Sequence, residues 1–431
     1  MVMLSLAEKL KIIYARWPNL KAILDEKKAD DLTFTGDTPT GVLVYKGLHI
    51  SSAFDPLKEA EVQAADFCDV SGEVWLYGVG SGHLIDKVLT LHSIDTVNVV
   101  FFNSELFTQS LSYYKHNWIA EKKVALHYAA EFIYPSYPFA CVHAELMVPD
   151  TDAVSLRDRV IMDLNENLRC KKLNERFTRF DFPNINKNLT YFHSDPDVSR
   201  IFNTIKSGLI VVAAAGETLS EFITNPVKCD CLIAVSTALK PLLTAGIEPD
   251  YVVVVDSHPG VFKHFEGLDF KGLLSKCSLV YTPNISSEIL KKWHGNRYSF
   301  IHSKRLVGYM PVDKTFSTLF TSGTVTHSAI DLASKIGASD ILLVGTDFAY
   351  VNGFSHCEGS AFRVEKKSLV TIQSFNGDSL KTSESLISYL RDLEFYIMKN
   401  TGLSFYTFSL NGAKINGVQK WISDDTVSQR S

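Results

Sequence analysis

The sequence predicts an α/β protein with a doubly wound, mostly parallel sheet, preceded by a smaller α/β domain and helical additions. Three observations predict it. The runs LIVVAAA (209–215), CLIAV (231–235), YVVVV (251–255) and ILLV (341–344) are apolar without alternation, as strands covered on both faces are. Segments with helical spacing and hydroxyl or glycine boundaries separate them, the order of a layered α/β domain. The length of 431 residues suits about two to three domains.

Composition narrows the classes. The chain is 46% hydrophobic and 21% charged, which excludes a disordered or fibrous chain. A net charge of −5 argues against a broad nucleic-acid-binding face. No apolar run approaches the roughly 18 residues of a membrane span. The start, MVMLSLAEKLKIIYARW, carries charges within its apolar stretch and no small-residue cleavage site, so it reads as an amphipathic helix and not a signal peptide. Seven cysteines without CxxC spacing fit a reduced, cytoplasmic protein. Cys229 and Cys231 read as strand packing.

Taken in order, residues 1–30 read as helix, 31–55 as short strands with turns, and 57–68 as helix. VWLYGVGSGH is a strand entering a turn with Gly78, Gly80 and Gly82. A helix from His83 and the strand 97–102 complete a βαβ unit. These make a first domain, 1–145. Residues 146–205 carry few strand signals and read as a helical connector, with RCKKLNERFTR a solvated basic face. The larger domain spans 206–412. In it Ser236 and Thr237 cap a helix 238–245 with Pro241 in its first turn, Gly337 closes a helix 324–336, and 384–399 is a long amphipathic helix. A polar tail follows from 413.

Ligands of open α/β sheets bind outside the carboxyl ends of the strands. The residues there are Gly216, Glu217, Thr218, Leu219, Ser236, Thr237, Asp256, Ser322, Gly323, Thr324 and Asp347. Glycine admits a ligand to the backbone, and helix starts suit phosphate. Together they point to a nucleotide-type site. Asp256-Ser-His258 also admits a metal reading, but one carboxylate and one imidazole do not demand a metal. His356, in a loop after a strand end, is a candidate general base. His327 reads as a buried helix histidine.

LIVVAAAGETLSEF, CLIAVSTALKPLLTAGIEPDYVVVVD and TSGTVTHSAIDLASKIGASDILLVGTDFAYVNGFSH resemble the central domain of the motility-associated factor (Maf) flagellin glycosyltransferases. LYGVGSGH resembles the degenerate Rossmann-like domain ahead of it, so the resemblance covers roughly residues 40–420. The stretch 321–356 is also similar to bacterial sialyltransferases that use CMP-sialic acid. The resemblance implies a Rossmann-like, sialyltransferase-like catalytic fold. It also implies inverting transfer of a nonulosonic sugar, such as pseudaminic acid, from a CMP donor to Ser or Thr hydroxyls of flagellin or another protein acceptor. The protein would be cytoplasmic, with no nucleic acid and no membrane span. It would need no cofactor beyond the donor and hold no resident metal.

The resemblance places the CMP phosphate at Gly216–Leu219, puts Ser322, Gly323 and Thr324 on the nucleotide, and makes Asp347 the anchor of the adjoining loop. Tyr350 stands near the position of a tyrosine that assists the departing phosphate. The chain departs from the family in reading G-E-T-L where the family usually has G-P-S-L. It also lacks the sialyltransferase base histidine, near 378–380, which leaves His356 first and Asp378 or Glu384 behind it as bases. Two other functions stand beside this one: a 6-hydroxymethylpterin-type diphosphokinase using ATP and Mg²⁺, with Asp256 and Asp347 as ligands, and a non-catalytic flagellin-binding factor.

Overall fold

The chain folds into two units in the computed structural model, Met1–Glu166 and Asn167–Ser431. The structure describes residues 4–25, 41–165, 175–302, 316–365 and 370–422.

In the first unit, α1 (Leu6–Arg16) starts at a capping box between Ser5 and Glu8, which satisfies two amides that the helix itself leaves open. It stops at Trp17, before Pro18, and α2 (Leu20–Asp25) follows. The expected single helix is therefore two, and 26–40 lie outside the described residues. A hairpin of β1 (Val44–Tyr45) and β2 (Leu48–His49) precedes α3 (Pro56–Ala64). Then come β3 (Gly72–Tyr77), α4 (His83–Leu89), β4 (Ile94–Phe101), α5 (Ser104–Tyr113), β5 (Val124–Tyr128), β6 (Phe139–Cys141), α6 (His143–Leu146) and α7 (Val154–Leu164). The sheet runs β5-β4-β3-β6, all parallel. The chain leaves β3 for β4 and β5 on one side and returns as β6 on the other.

The second unit begins with α8 (Phe182–Ser194). Its main elements are β7 (Gly208–Ala213), α9 (Leu219–Thr224), β8 (Cys231–Val235), α10 (Ser236–Thr244), β9 (Tyr251–Val254), α11 (Leu273–Lys276), β10 (Ser278–Tyr281), α12 (Ser287–Lys292) and β11 (Arg297–Ser299). They continue with α13 (Val325–Ile336), β12 (Ala338–Val344), the hairpin β13 (Thr371–Gln373) and β14 (Ser379–Lys381), α14 (Glu384–Lys399), β15 (Ser404–Thr407) and β16 (Gln419–Lys420). Eight parallel strands are ordered β11-β10-β9-β8-β7-β12-β15-β16. The apolar runs named above occupy its centre: every residue of β8 is buried, and Ile210, Val212, Val253, Ile341 and Leu342 are wholly inaccessible.

Several expectations are corrected. The 146–205 connector is divided: Leu156 and Val160 of α7 join the first core, whereas α8 packs Ile185 and Phe192 with Ile301. β5 and β6 were not foreseen, because β5 alternates in burial and β6 has three residues. Ser236 is already helical, Val235 stands at the cap, and Pro241 lies inside α10 rather than in its first turn. The tail supplies the edge strand β16, and its final stretch, 423–431, lies outside the described residues. Among the described residues no helix is long and apolar enough to cross a membrane.

Candidate functional site

β7 and β12 are neighbours, and the chain departs from them toward opposite edges of the sheet. Such a switch point leaves a crevice at the carboxyl ends. Here it is a cavity of about 940 Å³. Six of the eight strand ends contribute: Gly216 after β7, Ser236 and Thr237 after β8, Asp256 after β9, Asn284 after β10, His302 after β11, and Asp347 and Tyr350 after β12. Three helices of nine or more residues also begin on this wall. They are α10 at Ser236, α13 at Thr324 to Thr326, and α14 at Ser383 to Leu386. Thr324 accepts the Thr326 amide at 3.4 Å and Ser383 the Leu386 amide at 3.3 Å; the other first-turn amides and the aligned dipoles favour an anion. Val235, Val255, Phe348, Phe362 and Leu386 give the same space an apolar side.

Among the described residues three carboxylates line the cavity and each already has a partner: Asp181 accepts from Asn284 Nδ2 at 3.2 Å, and the other two are Asp347 and Asp256. Asp347 is 4% exposed and accepts hydrogen bonds from the Thr218 amide at 3.0 Å and from the Thr218 hydroxyl. Burial pushes its carboxyl up to about 6, against the lowering effect of those two bonds. A Cβ on Gly216 would lie 2.4 Å from Asp347 Oδ2 and 2.5 Å from the Gly345 carbonyl, so only glycine fits between the crossing backbones. Asp256 accepts from Arg176 Nη2 at 2.8 Å.

The turn 216–219, expected to cradle the phosphate, uses three of its amides within the chain. The Gly216 amide donates to the Gly345 carbonyl at 2.8 Å, Thr218 to Asp347, and Leu219 to the Gly216 carbonyl at 3.0 Å. The following helix, α9, has six residues. Glu217 and Thr218 face a second cavity of about 310 Å³, and Glu217 pairs with Arg363 at 3.0 Å. Leu219 is wholly buried. Ser322 likewise does not line the main cavity; its hydroxyl donates to Asp392. Gly323 and Thr324 do line it. Gly323 has φ +79°, and a Cβ there would meet Tyr389 Cε1 at 2.1 Å. Of the lesser bases, Asp378 lines the second cavity, and Glu384 yields the main cavity to its neighbours Ser383 and Ser385.

His356 and Tyr350 line the main cavity, with His356 Nδ1 at 3.0 Å from Ser355 Oγ. His258 lies in a turn, where Nδ1 accepts the Gly260 amide at 3.0 Å. Among the described residues no group of three or more His, Cys, Asp or Glu is placed to hold a metal ion. His327 is inaccessible, and its Nε2 lies 2.9 Å from the Tyr389 carbonyl.

Arg176, His264 and His302 are cavity residues that the sequence did not single out. Arg176 belongs to the basic stretch read as a solvated face and is exposed, paired with an Asp256 side chain of similar exposure; residues 169–174 of that stretch lie outside the described residues. Burial lowers both His264 and His302 to about 4. The available signal was position: His302 closes the β11 segment and His264 lies in the loop after β9.

The glycine turn of the first unit is filled from within. Glu145, just past β6, accepts the Val79 amide at 2.7 Å and the Gly80 amide at 2.6 Å. Burial raises its carboxyl, opposed by the Gly80, Val79 and Phe102 backbone bonds. The space left at this turn is about 10 Å³, room for about one water.

A family model described as 6-hydroxymethylpterin diphosphokinase MptE-like matches residues 183–353. Among solved structures, a Maf glycosyltransferase from Magnetospirillum magneticum AMB-1 is similar at 12% identity and a TM-score of 0.44, covering 96% of this chain and 74% of that one. No curated protein matches the chain.

Proposed function

We propose that this chain is a glycosyltransferase that moves a nonulosonic sugar from a CMP donor to Ser or Thr hydroxyls of a protein acceptor such as flagellin, with inversion. One observation carries the reading: three helix starts and a ring of small hydroxyl side chains face one cavity of about 940 Å³ at the switch point. That volume lies within the range of about 300–1,000 Å³ usual for small-molecule sites. The motif resemblance in 321–356 supplies the donor class. The six cysteines among the described residues are free, which suits a reducing compartment such as the cytoplasm.

We place the phosphate elsewhere on the same wall. It belongs beside Gly323 to Thr326 and Ser383 to Ser385, where α13 and α14 begin, and not at Gly216–Leu219. Open amides and hydroxyls there stabilise the phosphate as negative charge grows on it in the transition state. Tyr350 adds a phenol to the same wall. Asp347 acts at one remove, fixing the 216–219 turn. An imidazole of the wall takes the acceptor's proton, and His356 is the one that the sequence names.

The match to the diphosphokinase family over 183–353 favours a second reading, pyrophosphoryl transfer from ATP with Mg²⁺. It needs Asp256 and Asp347 as cation ligands, and these already accept from Arg176 and Thr218. The residues present therefore fit that ion poorly.

Calorimetric titration of the full chain with CMP, with ATP plus Mg²⁺ and with S-adenosylmethionine separates the readings. CMP binding without metal is the expected result. Binding of ATP only with Mg²⁺, and none of CMP, selects the diphosphokinase. Binding of none of the three leaves the protein-binding factor.

A further inference from the structure

The cavity has a second corner suited to an anion, at the carboxyl ends of β8 and β9. α10, nine residues long, begins there at Ser236, and no side chain caps its start. Ser236 lines the cavity and is 5% exposed. Among the described residues its hydroxyl makes no hydrogen bond, and it is not one of the buried polar atoms sealed from solvent. It is therefore a nearly buried hydroxyl that a ligand in the cavity can reach. The other two helix starts differ, because Thr324 and Ser383 spend their hydroxyls on amides of their own helices.

Arg176 comes to the same corner. Val235 of β8 pairs with Val253 of β9, so Ser236 and Asp256 leave neighbouring strands about 5 Å apart, and Arg176 is held against Asp256. Among the described residues it is the one lysine or arginine on the cavity wall. The helical segment that carries it continues as α8, which is fastened across the strand ends. Asn184 Nδ2 donates to the Ser257 and Asn284 carbonyls at 3.1 and 3.0 Å. Asn188 Nδ2 donates to those of Pro283 and Ile285 at 2.9 and 2.7 Å. The guanidinium uses one edge within the chain: Nη2 donates to Asp256 at 2.8 Å and Nε to Ser257 Oγ at 3.4 Å. The edge formed by Nη1 and Nη2 keeps two parallel N–H groups, the fork that a carboxylate accepts from both oxygens. Asp256 also accepts the His258 amide at 2.9 Å, which anchors it on its own turn.

We infer that Ser236, the start of α10 and Arg176 form a carboxylate subsite that takes the acid group of the donor sugar. The inference rests on the glycosyltransferase reading above. A CMP-nonulosonate carries two anions, its phosphate and the carboxylate on the anomeric carbon. The starts of α13 and α14 serve the first, and this corner serves the second. A neutral sugar would leave the fork and the Ser236 hydroxyl without a partner, so the subsite selects acid sugars.

Calorimetric titration of the full chain with CMP and with CMP-N-acetylneuraminate, which adds a sugar carboxylate to the same nucleotide, tests this. Arg176→Gln should weaken CMP-N-acetylneuraminate about 10-fold and leave CMP within about twofold. Ser236→Ala should show the same selectivity at about fivefold. Because Arg176→Gln also bares Asp256, the double variant with Asp256→Asn is the control, and the loss should persist in it. Recovery in the double variant would mean that Asp256 repels the ligand and Arg176 does not bind it, which overturns the subsite. A loss shared equally by both ligands, no loss for either, or a parent protein that binds CMP and not CMP-N-acetylneuraminate overturns it too, and each leaves the nucleotide reading standing. A parent protein that binds neither ligand overturns the glycosyltransferase reading itself.

Discussion

The two units meet the same problem at their switch points and solve it with the same device. In each, a glycine turn follows the first central strand, β3 or β7, and a carboxylate from across the switch point reaches into it. Glu145 serves in the first unit and Asp347 in the second. The outcomes differ in reach. Glu145 takes the Val79 and Gly80 amides within the turn and leaves about 10 Å³. The shorter Asp347 takes only Thr218, at the far end of its turn, and about 940 Å³ remains open beside it. A glycine-rich turn is therefore a site only when its amides are not already satisfied by the chain itself. In the second unit the open amides have moved to the starts of α10, α13 and α14.

The sharpest contrast comes from adding a side chain to each turn. Gly216→Val should cost about 3 kcal/mol, because its Cβ meets Asp347 and the Gly345 carbonyl, and CMP binding should go with it. Gly80→Ala meets its neighbours at 3.2 Å, at φ +54°, and should cost about 1 kcal/mol while leaving CMP binding intact. Chemical denaturation with calorimetry on both variants checks this. Loss of CMP binding in a folded Gly80→Ala protein would assign the site to the wrong unit.

Opening the closed turn is the second test. Glu145→Ala leaves buried amides without an acceptor and should cost about 2 kcal/mol. Inorganic phosphate, which can fill the vacated position, should raise the melting temperature of this variant and not of the parent. Equal responses would mean that Glu145 does not occupy an anion position.

Asp347 offers a test by pH. Its carboxyl is raised to about 6 from an ordinary 3.8, so the folded state binds a proton that the unfolded state does not between those values. The cost of its buried charge is full above pH 6 and is relieved as pH falls to about 4. The parent protein should therefore gain about 1–3 kcal/mol on Asp347→Asn over that interval. A difference that stays flat with pH would show that Asp347 is not carried as a buried anion.

The smallest effect belongs to the residue that the sequence placed at the phosphate. Glu217→Gln should weaken its pair with Arg363 by about 0.5 kcal/mol and leave CMP affinity unchanged. A large gain in CMP affinity would return Glu217 to the main cavity.

These contrasts also measure how much the sequence revealed. The central strands of the second unit were legible because long apolar runs leave no other assignment; β8 was placed to the residue. Gly216, Ser236, Thr237, Asp256, Gly323, Thr324, Asp347, Tyr350 and His356 do gather at one cavity, since strand ends of a parallel sheet share one edge. Glu217, Thr218, Leu219 and Ser322 do not. In a tight turn successive side chains point apart, and linear spacing does not say which faces inward. Arg176, His264 and His302 come from loops and a connector, where position along the chain carries little information about approach.

The neighbour relation between β7 and β12 has a consequence for biosynthesis. About 125 residues separate these strands in the chain, so at a ribosome adding about 5–20 residues per second β7 waits roughly 6–25 s for its second partner. β8 covers one edge early. The other edge stays bare until β12 emerges, and it belongs to the apolar run Ile210 to Ala213. The strand that ends in the middle of the finished sheet is thus a sticky border while the protein is being made, and the nascent chain needs a shield there long before it needs a substrate.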